Sequence, residues 1–207
     1  MKKNKKIIII FLLSLFLLVS SYIGYKEYQL YKSNKKENEM IDQFLEEQKI
    51  VQNDTNEETK EEIKEETKDP EYDYIAVLEI PSINLRKGIV DVNSKYNDVS
   101  YNVEIINPSE MPNIPNGNLI LASHSGNLNV SFFKHLNKLK KGDYAIVYYE
   151  NVKYTYEVNT IENEDKNGTI TIRKSNNRNT LTLTTCSPTD KTKQIVIVCN
   201  LVRADRL

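Results

Sequence analysis

From Tyr72 onward the chain is cut into short segments rich in β-branched and aromatic residues: 75–80, 85–90, 118–122, 144–149, 152–158, 169–172, 180–185 and 194–202. Pro, Asn, Gly or Asp bound them, as turn residues bound strands. Many short strands with turn signals between them predict a mainly β domain, either a barrel or a sandwich. One helix is predicted among them, over Ser131–Leu139. There Phe132, Phe133, Leu136 and Leu139 share an apolar face, Ser131 can cap the start, and Gly142 lies just past the end. A domain of about 135 residues is large enough to bury a sound core.

The preceding residues have a different character. Met1–Lys6 carries four lysines, and an uncharged run of 19 residues follows from Ile7 to Tyr25. As a helix it would be ~28 Å long, close to the ~30 Å of a bilayer's hydrocarbon core. The run is longer than the apolar core of a cleaved signal peptide, and no A-x-A-like site follows it. It is therefore read as an uncleaved transmembrane signal-anchor. The lysines would keep the N-terminus in the cytoplasm and the rest of the chain outside the cell. Residues 26–71 form a charged linker whose first half can be helical. Its tandem EETK, EEIK and EETK units have too little apolar content to bury a core. The expected organisation is a basic N-terminus (1–6), a transmembrane segment (7–25), a linker (26–71) and a folded domain (72–207).

Composition narrows the chemistry. With 28 basic and 29 acidic residues, nothing favours nucleic acid as a partner. The two histidines and two cysteines show no metal-ligand spacing. Glu104, Glu110 and residues 162–165 offer carboxylates, but they define no calcium motif, and no cofactor is expected. Two cysteines in an exported chain first suggest a disulfide. Cys186 and Cys199 lie in consecutive strand-like stretches, which leaves both pairing and separation onto different faces open.

Two segments carry reactive groups in the same way. In Thr180-Leu-Thr-Leu-Thr-Thr-Cys186, alternation separates Leu181 and Leu183 from Thr182 and Thr184, and Cys186 falls where the strand meets a polar turn. In Asn118-Leu-Ile-Leu-Ala-Ser-His124, an apolar strand delivers His124 at its polar end. A strand end is a rigid base for a thiol or an imidazole. Cys and His together suffice for nucleophilic acyl transfer: the thiolate attacks a carbonyl and the imidazolium protonates the leaving amine. His135 is read as an ordinary surface residue.

This combination resembles the sortases, cysteine transpeptidases of Gram-positive cell surfaces. The similarity rests on a strand ending in His124, the Thr-Leu-Thr-Thr-Cys186 strand end, and a second strand soon after. Ile75–Asn84 resembles the first strand pair, and Phe132–Asp143 resembles the segment after the catalytic His. The resemblance covers about residues 72–203. It implies an eight-stranded β-barrel with one or two short helices, and with His124 and Cys186 at one end of a groove. It also implies cleavage of a surface protein's C-terminal sorting signal, of the Leu-Pro-x-Thr-Gly type, between Thr and Gly. The thioacyl-enzyme would then be resolved by an amine of a peptidoglycan precursor. Enzyme and substrates would share the outer face of the membrane.

The sequence departs from the family at one position. Sortases carry an arginine at the start of the strand after the Cys, and alignment of Gln194–Cys199 puts Gln194 there. A shift of one residue would offer Lys193 and turn every strand side chain to the opposite face. The chain lacks an Asp-Pro-aromatic lid motif, since Glu71 follows Asp69-Pro70, and no apolar tail precedes Leu207. Both features favour a general anchoring enzyme over a pilus polymerase. An L,D-transpeptidase is a poor match, because Thr-Thr precedes Cys186 and Ser-Pro follows it. The non-enzymatic alternative is a degenerate sortase-like domain that binds wall polymer or a partner protein.

Overall fold

The computed structural model describes residues 2–50, 73–169, 175 and 177–207, with side chains from Phe11 onward. The chain divides into two compact units, Met1–Met40 and Ile41–Leu207. A 49-residue helix, α1 (Lys2–Ile50), makes up the described part of the first and enters the second. The predicted membrane segment lies within α1, and Ile7–Ile10 fall where side chains are not described. Among the described residues, no helix is long and apolar enough to cross a membrane. The EETK-type spacer and the Asp69-Pro70 pair lie outside the described residues.

Among the described residues, the second unit holds one eight-stranded sheet together with the end of α1. Its strands are β1 (Tyr74–Ile80), β2 (Leu85–Val90), β3 (Glu104–Ile105), β4 (Asn118–Ala122), β5 (Tyr144–Tyr149), β6 (Val152–Asp165), β7 (Thr180–Cys186) and β8 (Lys193–Arg206). Their spatial order is β2-β1-β5-β6-β8-β7-β4-β3. All the ladders are antiparallel except β4–β7, which is parallel. The two edges, β2 and β3, are joined by a side chain: buried Asn102, just before β3, donates from Nδ2 to the Gly88 carbonyl at 3.1 Å. The sheet is thus a nearly closed barrel.

Alternation fills the interior. Ala76, Leu78 and Ile80 of β1, Leu119 and Leu121 of β4, Leu181 and Leu183 of β7, and Ile195, Ile197 and Cys199 of β8 belong to one buried cluster. Intervening residues point to the outer face of the sheet. The end of α1 packs on this unit as well. Ile41 is fully buried, Asp42 pairs with Arg86 Nη1 at 2.7 Å, and Gln48 Oε1 accepts the Asn151 N–H at 2.7 Å.

One local expectation is corrected. The helix over Ser131–Leu139 does not form. Ser131, Lys134, Leu136 and Lys138 each donate their N–H three residues back, and only Leu136–Lys138 is a 3-10 turn. The Phe133 N–H instead reaches the His124 carbonyl at 3.0 Å, which ties this segment to the end of β4. Phe133, Leu136 and Leu139 still bury their side chains, so the apolar spacing reports burial rather than an α-helix. Thr169 belongs to no strand, and the rest of the expected 169–172 strand lies outside the described residues. The two-residue strand β3, too short to show periodicity, was not expected.

Gly88 is required by a close approach. A Cβ there would overlap the ring of Tyr74. Gly88→Ala is expected to force that ring aside and destabilise the domain by about 1–3 kcal/mol, measured by chemical denaturation. A loss below about 0.5 kcal/mol would show that the ring moves freely.

Candidate active site

The parallel ladder positions both reactive groups. Asn118 pairs with Thr180 and Ala122 with Thr184, so counting two residues on places His124 beside Cys186. Two bonds continue the ladder into this region. The Ser123 N–H donates to the Thr184 carbonyl at 3.4 Å, and Thr185 Oγ1 donates to the Ser123 carbonyl at 2.6 Å. Adjacent strands lie ~4.8 Å apart, so the two side chains leave neighbouring strand ends. Leu183 and Leu121 face the core, so by alternation Cys186 and His124 both belong to the outer face. Each is partly exposed, and the Cys186 thiol is free.

Gln194 completes a row across three strands. It is the antiparallel partner of Cys186, so their side chains share a face. Gln194 is 9% exposed, and its Nε2 donates to the Thr169 carbonyl at 2.6 Å. Lys193 points the other way and pairs with Asp165 at 2.6 Å. The register therefore puts the glutamine, and not the lysine, across from the thiol.

The two cysteines are separated by the same register. Cys199 pairs with Leu181 and is fully buried in the core, while Cys186 pairs with Gln194 on the outer face. Both are free, so the disulfide left open by the sequence is not present. Burial pushes the Cys199 thiol up to about 12, which makes it inert. The turn from Cys186 to β8 is held by its own polar groups. The Asp190 carboxylate accepts the Thr192 N–H and hydroxyl at 2.9 and 2.6 Å, and Ser187 N–H donates to the Lys193 carbonyl at 3.0 Å.

One charged residue near the imidazole was not singled out from the sequence. Asp98 lies in the β2–β3 connection, and its Oδ1 accepts the Ser100 N–H at 2.7 Å. The Ser100 hydrogen bonds, and to a smaller degree the charge of nearby His124, hold its carboxyl below the usual carboxylate range. The only local signal was an Asn/Asp/Ser-rich stretch, which reads simply as a loop. His135 is exposed, as expected. Among the described residues, no group of three His, Cys, Asp or Glu side chains could hold a metal ion.

A barrel that brings a thiol and an imidazole to adjacent strand ends has the layout of a cysteine acyltransferase. The sortase domain family matches residues 78–202, and the chain belongs to the sortase family. It is thus a cysteine transpeptidase. It is 27% identical over 191 residues to Sortase D of Bacillus subtilis (strain 168), a match covering 89% of this chain and 90% of that one. Among solved structures it is similar to sortase C-1 from Actinomyces oris, with a TM-score of 0.56 and 27% identity over 63% of this chain and 74% of that chain. Sortase C1 from Streptococcus agalactiae matches with a TM-score of 0.56 and 25% identity over 64% and 69%.

Two measurements test the thiol environments. The native protein should react with one equivalent of a disulfide reagent, and Cys186→Ala should abolish that reaction; two fast-reacting thiols would contradict the burial of Cys199. An unfolded chain ionises its thiols at about 8.5, and burial pushes the folded Cys199 up to about 12. Its contribution to stability is therefore complete below about pH 8.5 and is lost as pH rises towards about 12. Tyr148 and Tyr149, also pushed up to about 12 by burial first and then by Glu79 and Glu150 respectively, add to the same alkaline loss. Cys199→Ala should flatten the lower part of that decline.

Proposed function

We propose that this protein cleaves a C-terminal sorting signal of the Leu-Pro-x-Thr-Gly type and transfers the surface protein to an amine of the cell wall. The observation that carries this reading is the parallel register that sets His124 beside Cys186. In the first step the Cys186 thiolate attacks the threonyl carbonyl, and a tetrahedral oxyanion forms. His124, as imidazolium, protonates the departing glycyl amine, the C–N bond breaks, and a thioester remains on Cys186. In the second step a wall amine attacks the thioester, its proton passes to His124, and the thiolate is released.

Gln194 takes the role that an arginine has in the family. Its amide has two N–H groups, one of which is bonded to Thr169, and the other can donate to the oxyanion. An amide donor carries no charge, so it stabilises the oxyanion less than a guanidinium would. The position across from Cys186 supports this role over one for Lys193.

The reading includes a membrane anchor formed by residues 7–25. An uncharged run of 19 residues after four lysines supports it, as do the exposed side chains of Phe11–Val19 and the exposed Tyr22, Tyr25, Tyr28 and Tyr31 beyond them. Tyrosines at the end of an apolar run suit the headgroup region of a bilayer. On this reading the N-terminus is cytoplasmic and the barrel extracellular. Deleting residues 7–25 should move the protein from the membrane to the soluble fraction. A deletion protein that stays with the membrane would point to another anchor.

Incubation with a small set of sorting-type pentapeptides, followed by intact-mass spectrometry, tests the chemistry. A thioester adduct is expected on the wild type and absent from Cys186→Ala and His124→Ala. Losing one oxyanion donor in Gln194→Ala should slow adduct formation by about 10²-fold, and Gln194→Arg should accelerate it. No adduct with any peptide, despite a reactive Cys186, would leave the domain a binding module.

A further inference from the structure

The β2–β3 connection, residues 91–103, has no part in the steps above, yet it is fixed beside the imidazole. Asn97 clamps it at one point: Nδ2 donates to the Ile105 carbonyl at 3.1 Å, and Oδ1 accepts the Ile105 N–H at 2.7 Å. The Val99 N–H donates to Glu104 Oε2 at 3.3 Å. Glu104 pairs with Ala122, so residues 97–99 lie against the end of β4, two residues before His124. The Asp98 carbonyl accepts the N–H groups of Tyr101 and Asn102, each at 2.9 Å, which closes the loop into a tight turn.

This turn presents an exposed carboxylate and an exposed ring. Asp98 is exposed, Tyr101 is 53% exposed, and the Tyr101 ring stands edge-on to Tyr96 at 5.9 Å. The loop's one cation, Lys95, is held over the Tyr96 ring at 4.7 Å. An exposed carboxylate and an exposed ring on one short turn are the two kinds of group that attract an ammonium ion. In the proposed reaction the scissile Thr-Gly bond is neutral, and the acceptor amine arrives as a cation.

We propose that Asp98, with Tyr101, docks the acceptor amine in its ammonium form beside His124. The inference rests on the transpeptidase reading above. After acylation His124 has given its proton to the departing glycyl amine and is neutral. The docked ammonium releases one proton to solvent, its nitrogen lone pair attacks the thioester carbonyl, and the nitrogen's second proton passes to His124. The new C–N bond forms, the C–S bond breaks, and Cys186 leaves as thiolate beside the imidazolium. The starting charge state of the enzyme is restored, and the proton given to solvent balances the one that the departed glycyl amine takes up there. Asp98 binds and positions the acceptor and takes no proton itself.

Full-length protein in detergent micelles tests this with a sorting-type peptide whose C-terminal reporter is released on acylation, and with triglycine as the acceptor. In Asp98→Asn the side-chain oxygen can still accept the Ser100 N–H, so the turn is kept while the charge is removed. Single-turnover reporter release should stay within about twofold of wild type, while the triglycine concentration for half-maximal transfer rises about five- to tenfold. Asp98→Glu should recover most of that loss. Added salt should weaken acceptor use by the wild type more than by Asp98→Asn. An unchanged triglycine dependence would overturn the proposal. An equal fall in reporter release would also overturn it, by assigning Asp98 to the support of His124. A wild type that releases no reporter would instead sink the transpeptidase reading, and that first step reports it separately.

Discussion

The parallel pairing of β4 with β7 is the constraint on which the site depends. Every other ladder in the sheet is antiparallel, and most join strands that are near in sequence. The β4–β7 ladder joins segments about 60 residues apart and lets both chains run in one direction to the same end. That shared direction puts the imidazole and the thiol together. The ladder is held by Leu119, Leu121, Leu181 and Leu183, all essentially inaccessible, so core packing sets the register. A slip of β7 by one residue would turn Leu181 and Leu183 out of the core cluster and Cys186 into the barrel. Stability and chemistry therefore depend on the same four side chains.

The same register sorts the two cysteines. Both are on strands in the same part of the sheet, and both are free. Parity alone sends Cys199 into the core, where its thiol is hard to ionise, and Cys186 to the outer face at a strand end. Parity also separates Lys193 from Gln194. The lysine's charge is spent on Asp165, away from the thiol, and the residue across from Cys186 is uncharged. The row that holds the thiol supplies only an amide.

Much of this was legible in the sequence, for a physical reason. Leu181 and Leu183 alternate with threonines, and Leu119 and Leu121 flank Ile120, so two strands ending in reactive groups could be read from period and composition. The helix expected at Ser131–Leu139 failed because apolar spacing of three and four residues also fits successive tight turns. There the N–H of Phe133 bonds to His124 rather than within a helix. Strand β3 escaped notice because two residues carry no period. Its role is defined by its partners, Glu104 with Ala122 and Ile105 with Leu121. Asp98 was missed for a related reason. Its nearness to His124 arises from Asn97, Glu104 and the β3–β4 ladder acting together, and no spacing within the chain encodes that.

The groups of the site divide according to what each must tolerate. In the proposed reaction Cys186 and His124 would act on every substrate and would keep one mutual geometry through two steps of opposite proton flow. They sit at the ends of strands whose registers are fixed by buried leucines. Asp98 and Tyr101 would meet an acceptor that enters only after the thioester has formed, and they sit on a connection tied down at Asn97 and Asn102 but exposed between. A connection can change its charge or its ring without disturbing the core, whereas a strand end cannot change its register. Acceptor preference can then vary through residues 91–103 while the thiol–imidazole pair stays in place.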